Sequence, residues 1–374
     1  MALASVRRMT EPSALPPIPF NRPAVTGREL DYMQQAIANG HLSGDGAFTK
    51  RCHALLETIT GAPKVLLTTS CTHALEMALL LAGIGAGDEV ITTPLSWVAT
   101  ANVVLRAGAR VVFADVDPAT RNIDLALVEQ AITPRTRALL PVDLAGLPVD
   151  RDRLHDIARR HGLRVIEDAA QSMGASWGGR PIGSFGDLVS FSFHANKNMT
   201  TSEGGCLVVN DAAEARAVEL WRLQGVERHA DGGMDVTLPG GKHNLTDVAA
   251  CIGLGQLPQL PAFNARRREL ARRYFAELDR DLGLGLPLAD FEHGNWHMFQ
   301  VLLPEGVERG AFIAAMKARG IGIGVHYPAM HLFRLFRELG WRAGQFPHAE
   351  RIGARSVTLP LFPAMRDADV TRVA

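Results

Sequence analysis

KVLLTTSCTHALEMALLLAGIGAGDEVITT, residues 64–93, runs from an aliphatic strand candidate through a polar turn and a helix-length apolar stretch into a second β-branched run. That order is the repeating unit of a parallel sheet with helices on its faces. The alternation continues outward, with strand candidates at ARVVFADV (109–116), RALLPVDL (137–144) and LRVIEDAA (163–170). Residues 72–83, 96–107, 120–131 and 150–161 can each carry a helix between them. GDLVSFSF (186–193) and GCLVVN (205–210) follow with no room for a helix, so an antiparallel strand or hairpin is expected there.

Pro258 and Pro261 then punctuate the chain, and the Arg-rich segment 264–281 reads as one long helix. A strand near 297–303, a helix near 309–319, a strand near 322–326 and a helix near 346–356 complete the pattern. The expected architecture is α/β: a three-layer α/β/α large domain with a mostly parallel central sheet (26–260), a smaller C-terminal α+β domain (261–374) and an N-terminal arm (1–25). At 374 residues the chain is long enough for both.

Lys+Arg and Asp+Glu both number 39, so there is no net field to attract nucleic acid or an anionic membrane. Any anionic ligand must be held by local groups. Cys52, Cys71, Cys206 and Cys251 show no C-x-x-C spacing, which fits reduced cytoplasmic thiols and no metal site. The longest apolar stretch, Ala74 to Ala86, is broken by Glu76 and is too short to cross a bilayer. Residues 1–17 lack the continuous apolar segment of an export signal, so a soluble cytoplasmic protein is expected.

Chemistry concentrates in IEDAAQS (166–172) and FSFHANKN (191–198), two strand-end segments placed where open α/β sheets keep their ligands. Asp168 and Lys197 are the carboxylate and amine that pyridoxal chemistry requires, one facing the pyridine nitrogen and the other bonding the aldehyde. Ser70, Cys71 and Thr72 stand at a helix start, where free amides and the macrodipole favour a phosphate, and Ser192 could donate from the opposite side. Plainer readings exist for each. Asp168 could cap a helix, the Ser-Cys-Thr turn could be an ordinary N-cap, and Lys197 could be solvated.

Taken in order, the segments SCTHALEMALL (70–80), GDEVITTPLSWVATAN (87–102), ITPRTRALLPVDLAG (132–146), VIEDAAQS (165–172), FSFHANKN with SEGG (202–205), NLTDVAA (244–250) and GIGVHYP (322–328) resemble the DegT-type nucleotide-sugar aminotransferases. The likeness runs from IPFNRP (18–23) to LPLFP (359–363). It implies the pyridoxal-phosphate-dependent transferase fold type I, pyridoxal 5'-phosphate as cofactor, glutamate as amino donor and a nucleotide-linked 4-keto-sugar as acceptor. Lys197 becomes the covalent lysine, Asp168 the pyridine-nitrogen partner, Gln171 a contact near the phenolic oxygen, and Trp97 the aromatic stacked on the ring. Thr72 and Ser192 would hold the phosphate, while His194 and His326 would face the sugar and the loop HLSGDGAF (41–48) would help close the site.

The resemblance further implies a homodimer with shared active sites, in which GGKHNLTD (240–247) sends Lys242 or Asn244 to the partner's phosphate. This segment departs from the commoner pattern of aromatic residues and an Asn at 241–243. Alternatively, Asn244 caps the helix beginning near Thr246, Trp97 is a core aromatic, and His326 is structural. IPFNRPAVTGRELDYMQQAI and SGDGAFTKRC look most like thymidine-diphospho-4-keto-6-deoxyglucose transaminases of surface polysaccharide synthesis. FSFHANKNMTTSEGG and KHNLTDVAA look more like uridine-diphospho-4-keto-pentose transaminases of lipid A modification. Two competitors are an amino-acid transaminase or desulfurase, and a non-catalytic regulator that senses the same ligands.

Overall fold

The computed structural model describes residues 15–374, so residues 1–14 of the expected arm lie outside the described residues. Seven strands share one sheet: β1 (Lys64–Thr68), β2 (Glu89–Thr92), β3 (Arg110–Phe113), β4 (Thr136–Leu140), β5 (Arg164–Asp168), β6 (Leu188–Ser192) and β7 (Gly205–Val209). Their order is β1-β7-β6-β5-β4-β2-β3. β7 runs antiparallel to both neighbours, and the other four pairings are parallel. The expected antiparallel strand is therefore β7, and the turn that reverses the chain into it carries Lys197.

The α-helices up to residue 277 are α1 (Arg28–Ala38), α2 (Ala47–Thr60), α3 (Cys71–Leu81), α4 (Ala99–Arg106), α5 (Leu125–Gln130), α6 (Arg151–His161), α7 (Ala212–Trp221), α8 (Asp247–Gln256) and α9 (Leu260–Glu277), and four more follow, Arg309–Ala318, Arg334–Glu338, Pro347–Arg355 and Asp367–Val373. Alternate strand residues face opposite layers, as the pleat dictates. Leu66, Val90, Ile166, Leu188 and Leu207 pack with α3, α4 and α7. Val65, Leu67, Val189, Phe191 and Val208 pack with α2 and α8, while Ile91, Leu139 and Val165 pack with α5 and α6. This is the three-layer α/β/α arrangement with a mostly parallel sheet, fold type I.

A separate apolar cluster joins Leu270, Tyr274, Phe299, Val301, Val357 and Val370 with Ile18 from the N-terminal segment. Its small sheet pairs Phe299–Leu302 with Ser356–Leu359 in antiparallel register. Residues Tyr327, Met330, Phe336, Phe346 and Ile352 pack instead into the cluster of the large sheet.

Three details differ from the sequence reading. α9 begins at Leu260 rather than 264, because Pro261 occupies its first turn, where a missing N–H costs nothing. No strand forms over 322–326; only isolated bridges join Ile321 to Ile18 and Gly324 to Thr358. Phe20 crowds this backbone, and a Cβ at Gly324 would lie 2.6 Å from its ring. The expected helix near 346–356 ends at Arg355, and Ser356 starts a strand. Among the described residues no helix is long and apolar enough to cross a membrane.

Candidate active site

Parallel strands bring their C-terminal ends to one edge of the sheet, and loops there leave a hollow. Asp168 ends β5, Ser192 ends β6, Lys197 follows in the turn to β7, and Ser70 precedes α3. Around them lies a cavity of about 480 Å³. Ser70, Cys71, Thr72, Trp97, Asp168, Gln171, Ser192, His194, Lys197 and His326 all line it. Residues far apart in sequence thus meet as the motifs suggested.

Asp168 is buried, with Oδ2 accepting from the Thr100 hydroxyl at 2.7 Å and Oδ1 from the Ala170 amide at 3.3 Å. It caps no helix. Burial pushes its carboxyl above the ordinary range, against the Thr100 bond and the Lys197 charge, which pull it down. Lys197 is affected in the opposite sense: burial lowers its pKa, and Asp168 opposes that shift without reversing it. No hydrogen bond or ion pair to the Lys197 ammonium is found among the described residues.

At the start of α3 the Ser70 hydroxyl accepts the His73 amide at 3.1 Å, so this residue is an N-cap as the plainer reading held. The Cys71 and Thr72 amides have no acceptor among the described residues, which leaves two donors at the positive end of the helix dipole. Gly205 of β7 allows the helix start to come this close, since a Cβ there would lie 2.4 Å from the Cys71 nitrogen. Cys71 itself is buried, and burial pushes its thiol well above the ordinary range.

Trp97 is 62% exposed at the cavity wall, which rules out the core-aromatic reading. Its ring lies 6.2 Å from that of Tyr327. His326 Nδ1 is 2.9 Å from Thr358 Oγ1, and its ring stacks on Phe20. Burial first, then the Lys197 charge, lower its pKa to about 4, so it is neutral near pH 7. His194 is exposed at the mouth, with Nδ1 2.8 Å from Asn196 Oδ1 and Nε2 3.6 Å from Glu203 Oε1.

Lys242 and Asn244 do not line the cavity of their own chain. Lys242 donates to Asn244 Oδ1, whose Nδ2 donates to Asp45 at 2.7 Å. Thr246, not Asn244, is the N-cap of α8, accepting the Ala249 amide at 3.2 Å. The 41–48 loop is likewise drawn away: a Cβ at Gly44 would collide with Leu245 O at 2.3 Å, so the loop lies against 244–247. Sequence reasoning missed Thr100, Asn196 and Tyr327. Each lies inside a quoted motif, Tyr327 in GIGVHYP, Asn196 in FSFHANKN and Thr100 in GDEVITTPLSWVATAN, and those motifs were the available signal, although nothing in the sequence pairs Thr100 with Asp168.

The donor set fits pyridoxal phosphate: unpaired helix amides for a phosphate, a buried carboxylate for a ring N–H, an open aromatic face and an unpaired amine for an aldehyde. Comparison with known structures agrees. The PLP form of Spr1654 from Streptococcus pneumoniae aligns with TM-score 0.89 at 29% identity, covering 95% of this chain and 96% of its own. Sugar aminotransferase CalS13 from Micromonospora echinospora gives 0.88 at 29%, covering 95% and 98%. DesI, solved in the presence of its TDP-sugar product, gives 0.88 at 30%, covering 97% and 92%. The sequence model of one family matches residues 23–374, nearly the whole chain. By fold, cavity and sequence together, the chain belongs to the DegT/DnrJ/EryC1/StrS aminotransferase family.

Proposed function

We propose that this chain, a pyridoxal-phosphate-dependent sugar aminotransferase, moves the amino group of glutamate to carbon 4 of a nucleotide-linked keto-sugar, with Lys197 as covalent and proton-transferring residue. The observation that carries the assignment is the unpaired Lys197 amine in a cavity walled by Asp168, Trp97 and the start of α3. Bound there, the cofactor supplies an electrophilic aldehyde and a ring that draws off charge.

The protein's own residues do the rest. Burial lowers the proton affinity of Lys197, so more of the amine is neutral, nucleophilic and able to take a proton from carbon near neutral pH. Asp168, held by Thr100 and Ala170, faces a ring N–H and is kept ionised by it. The Cys71 and Thr72 amides, with the Thr72 and Ser192 hydroxyls, hold a phosphate. Trp97 offers its face to the ring. His194 and His326 border the sugar, and neutral His326 can accept or donate one hydrogen bond to a hydroxyl without repelling a cation.

The homodimer belongs to the same proposal. Asn244 is bridged to Thr68 on the outer side of β1 and Lys242 to Leu223; Lys242 is exposed and open to a neighbour's site, while Asn244 beside it is buried against Asp45. Leu30 and Ile37 of α1 and Met234 and Val236 of the 226–236 hairpin are each more than 60% exposed, apolar surface that a second copy could cover. The units 26–260 and 261–374, with an arm before them, are proposed as the two domains, the separate cluster around Phe299 being their support. The TDP-sugar of DesI favours a thymidine-linked substrate, and the product would feed surface polysaccharide, lipopolysaccharide or a related glycoconjugate made from cytoplasmic precursors.

The test is to incubate the holoenzyme with ¹⁵N-glutamate and a panel of nucleotide-linked keto-sugars. Label appearing at carbon 4 of a sugar supports the proposal. Label passing only to other keto-acids contradicts it.

A further inference from the structure

Gln171 and Tyr327 meet at one corner of the cavity, and their hydrogen bonds decide which polar atoms that corner can offer. Gln171 Oε1 accepts the Ala145 amide at 2.7 Å. A backbone N–H can only donate, so the orientation of the Gln171 amide is fixed, and its nitrogen must face Tyr327. Nε2 donates to Tyr327 Oη at 3.0 Å. A phenol oxygen that accepts keeps its own proton to give. No acceptor for that proton, nor for the second N–H of Gln171, is found among the described residues.

The clasp is built firmly. Ala145, whose N–H bonds Gln171, has φ 59°, in the left-handed region. Asn295 Nδ2 donates to the Gln171 backbone carbonyl at 2.9 Å. Tyr327 is only 8% exposed and packs in the core of the large sheet, so its ring cannot swing away. Three residues before Gln171, Asp168 presents only acceptors unless protonated. The cavity floor therefore reads acceptor, then paired donors. Its complement is a ring bearing an N–H at one position and an oxyanion at another.

We propose that Tyr327 is a positioning residue of the reaction: it locks Gln171 as a hydrogen-bond donor and adds its own hydroxyl beside it, so that this corner selects the ring oxyanion of the cofactor. The inference rests on the pyridoxal-phosphate reading above and deepens it. Donors aimed at that oxygen stabilise its negative charge and so lower the proton affinity of the lysine-linked cofactor. Tyr327 thus sets the pH at which the cofactor gives up its proton, in addition to shaping the pocket.

The test is a pH titration of the cofactor's absorbance in the purified holoenzyme, for wild type, Tyr327→Phe and Gln171→Glu. Removing one hydrogen-bond donor should raise the midpoint by about half to one pH unit in Tyr327→Phe. Gln171→Glu should raise it further, because the new carboxylate replaces a donor and captures the Tyr327 proton. An unchanged midpoint in Tyr327→Phe, with cofactor still bound, overturns the inference. Should Tyr327→Phe fail to fold, Gln171→Glu decides alone, an unshifted midpoint again overturning it. A wild-type protein with no cofactor absorbance takes down the pyridoxal reading itself, which separates the two failures.

Discussion

A partly buried ammonium at a cavity wall with no carboxylate in contact gives up its proton more easily than one in water, and Lys197 is in that position. The same burial that makes it reactive costs stability. The sign follows from its lowered folded-state pKa: the cost is full below that pKa, where both states are protonated, and disappears as pH rises toward the ordinary value of 10.5. Cofactor-free Lys197→Met should therefore unfold later than cofactor-free wild type near neutral pH, by about 1–3 kcal/mol in urea denaturation. The gap should close toward pH 10. A less stable variant at neutral pH would show that the amine is better paired than it looks. Asp168 and Lys197 were legible in the sequence because each lies inside a short local motif at a strand end. Thr100, which holds Asp168 from 68 residues away, was not, because only the packing of α4 against the sheet edge brings them together.

At the scale of elements, the site depends on how closely α3 meets β7 and how firmly α6 ties to β5. Gly205→Ala places a Cβ 2.4 Å from the Cys71 nitrogen and 2.7 Å from the Phe191 carbonyl, both backbone atoms that cannot rotate aside. The start of α3 must shift, so cofactor affinity measured by absorbance should fall at least about tenfold, since a loss of one charge-assisted bond already does that. Retained affinity would mean the phosphate is held elsewhere. Behind β5, Arg151 is fully buried and bridges Asp143 at 2.6 Å and Glu167 at 2.9 Å. Arg151→Met leaves two carboxylates without their cation and should cost about 3–5 kcal/mol in denaturation. A loss below about 1 kcal/mol would show that water or His155 replaces it. The strands were readable from alternating aliphatic runs. The start of α9 was not, because a proline that ends one helix and a proline that begins another look alike in sequence. The 322–326 segment also misled, since its alternation ignores that Phe20 fills the space beside its glycines.

For the whole molecule, the family and its fold were readable because motifs are distributed along most of the chain, whereas the roles of Lys242 and Asn244 depend on a second copy. If those residues complete a neighbour's site, mixing inactive Lys197→Ala with impaired Asn244→Ala should restore roughly a quarter of wild-type activity, because each mixed dimer contains one intact site. No recovery after subunit exchange would place both residues in a single-chain role. The central claim, however, is the covalent role of one amine. Borohydride reduction of the purified holoenzyme followed by peptide mass mapping should find a pyridoxyl group on Lys197 and on no other residue. An adduct on a different lysine, or none at all, would contradict it.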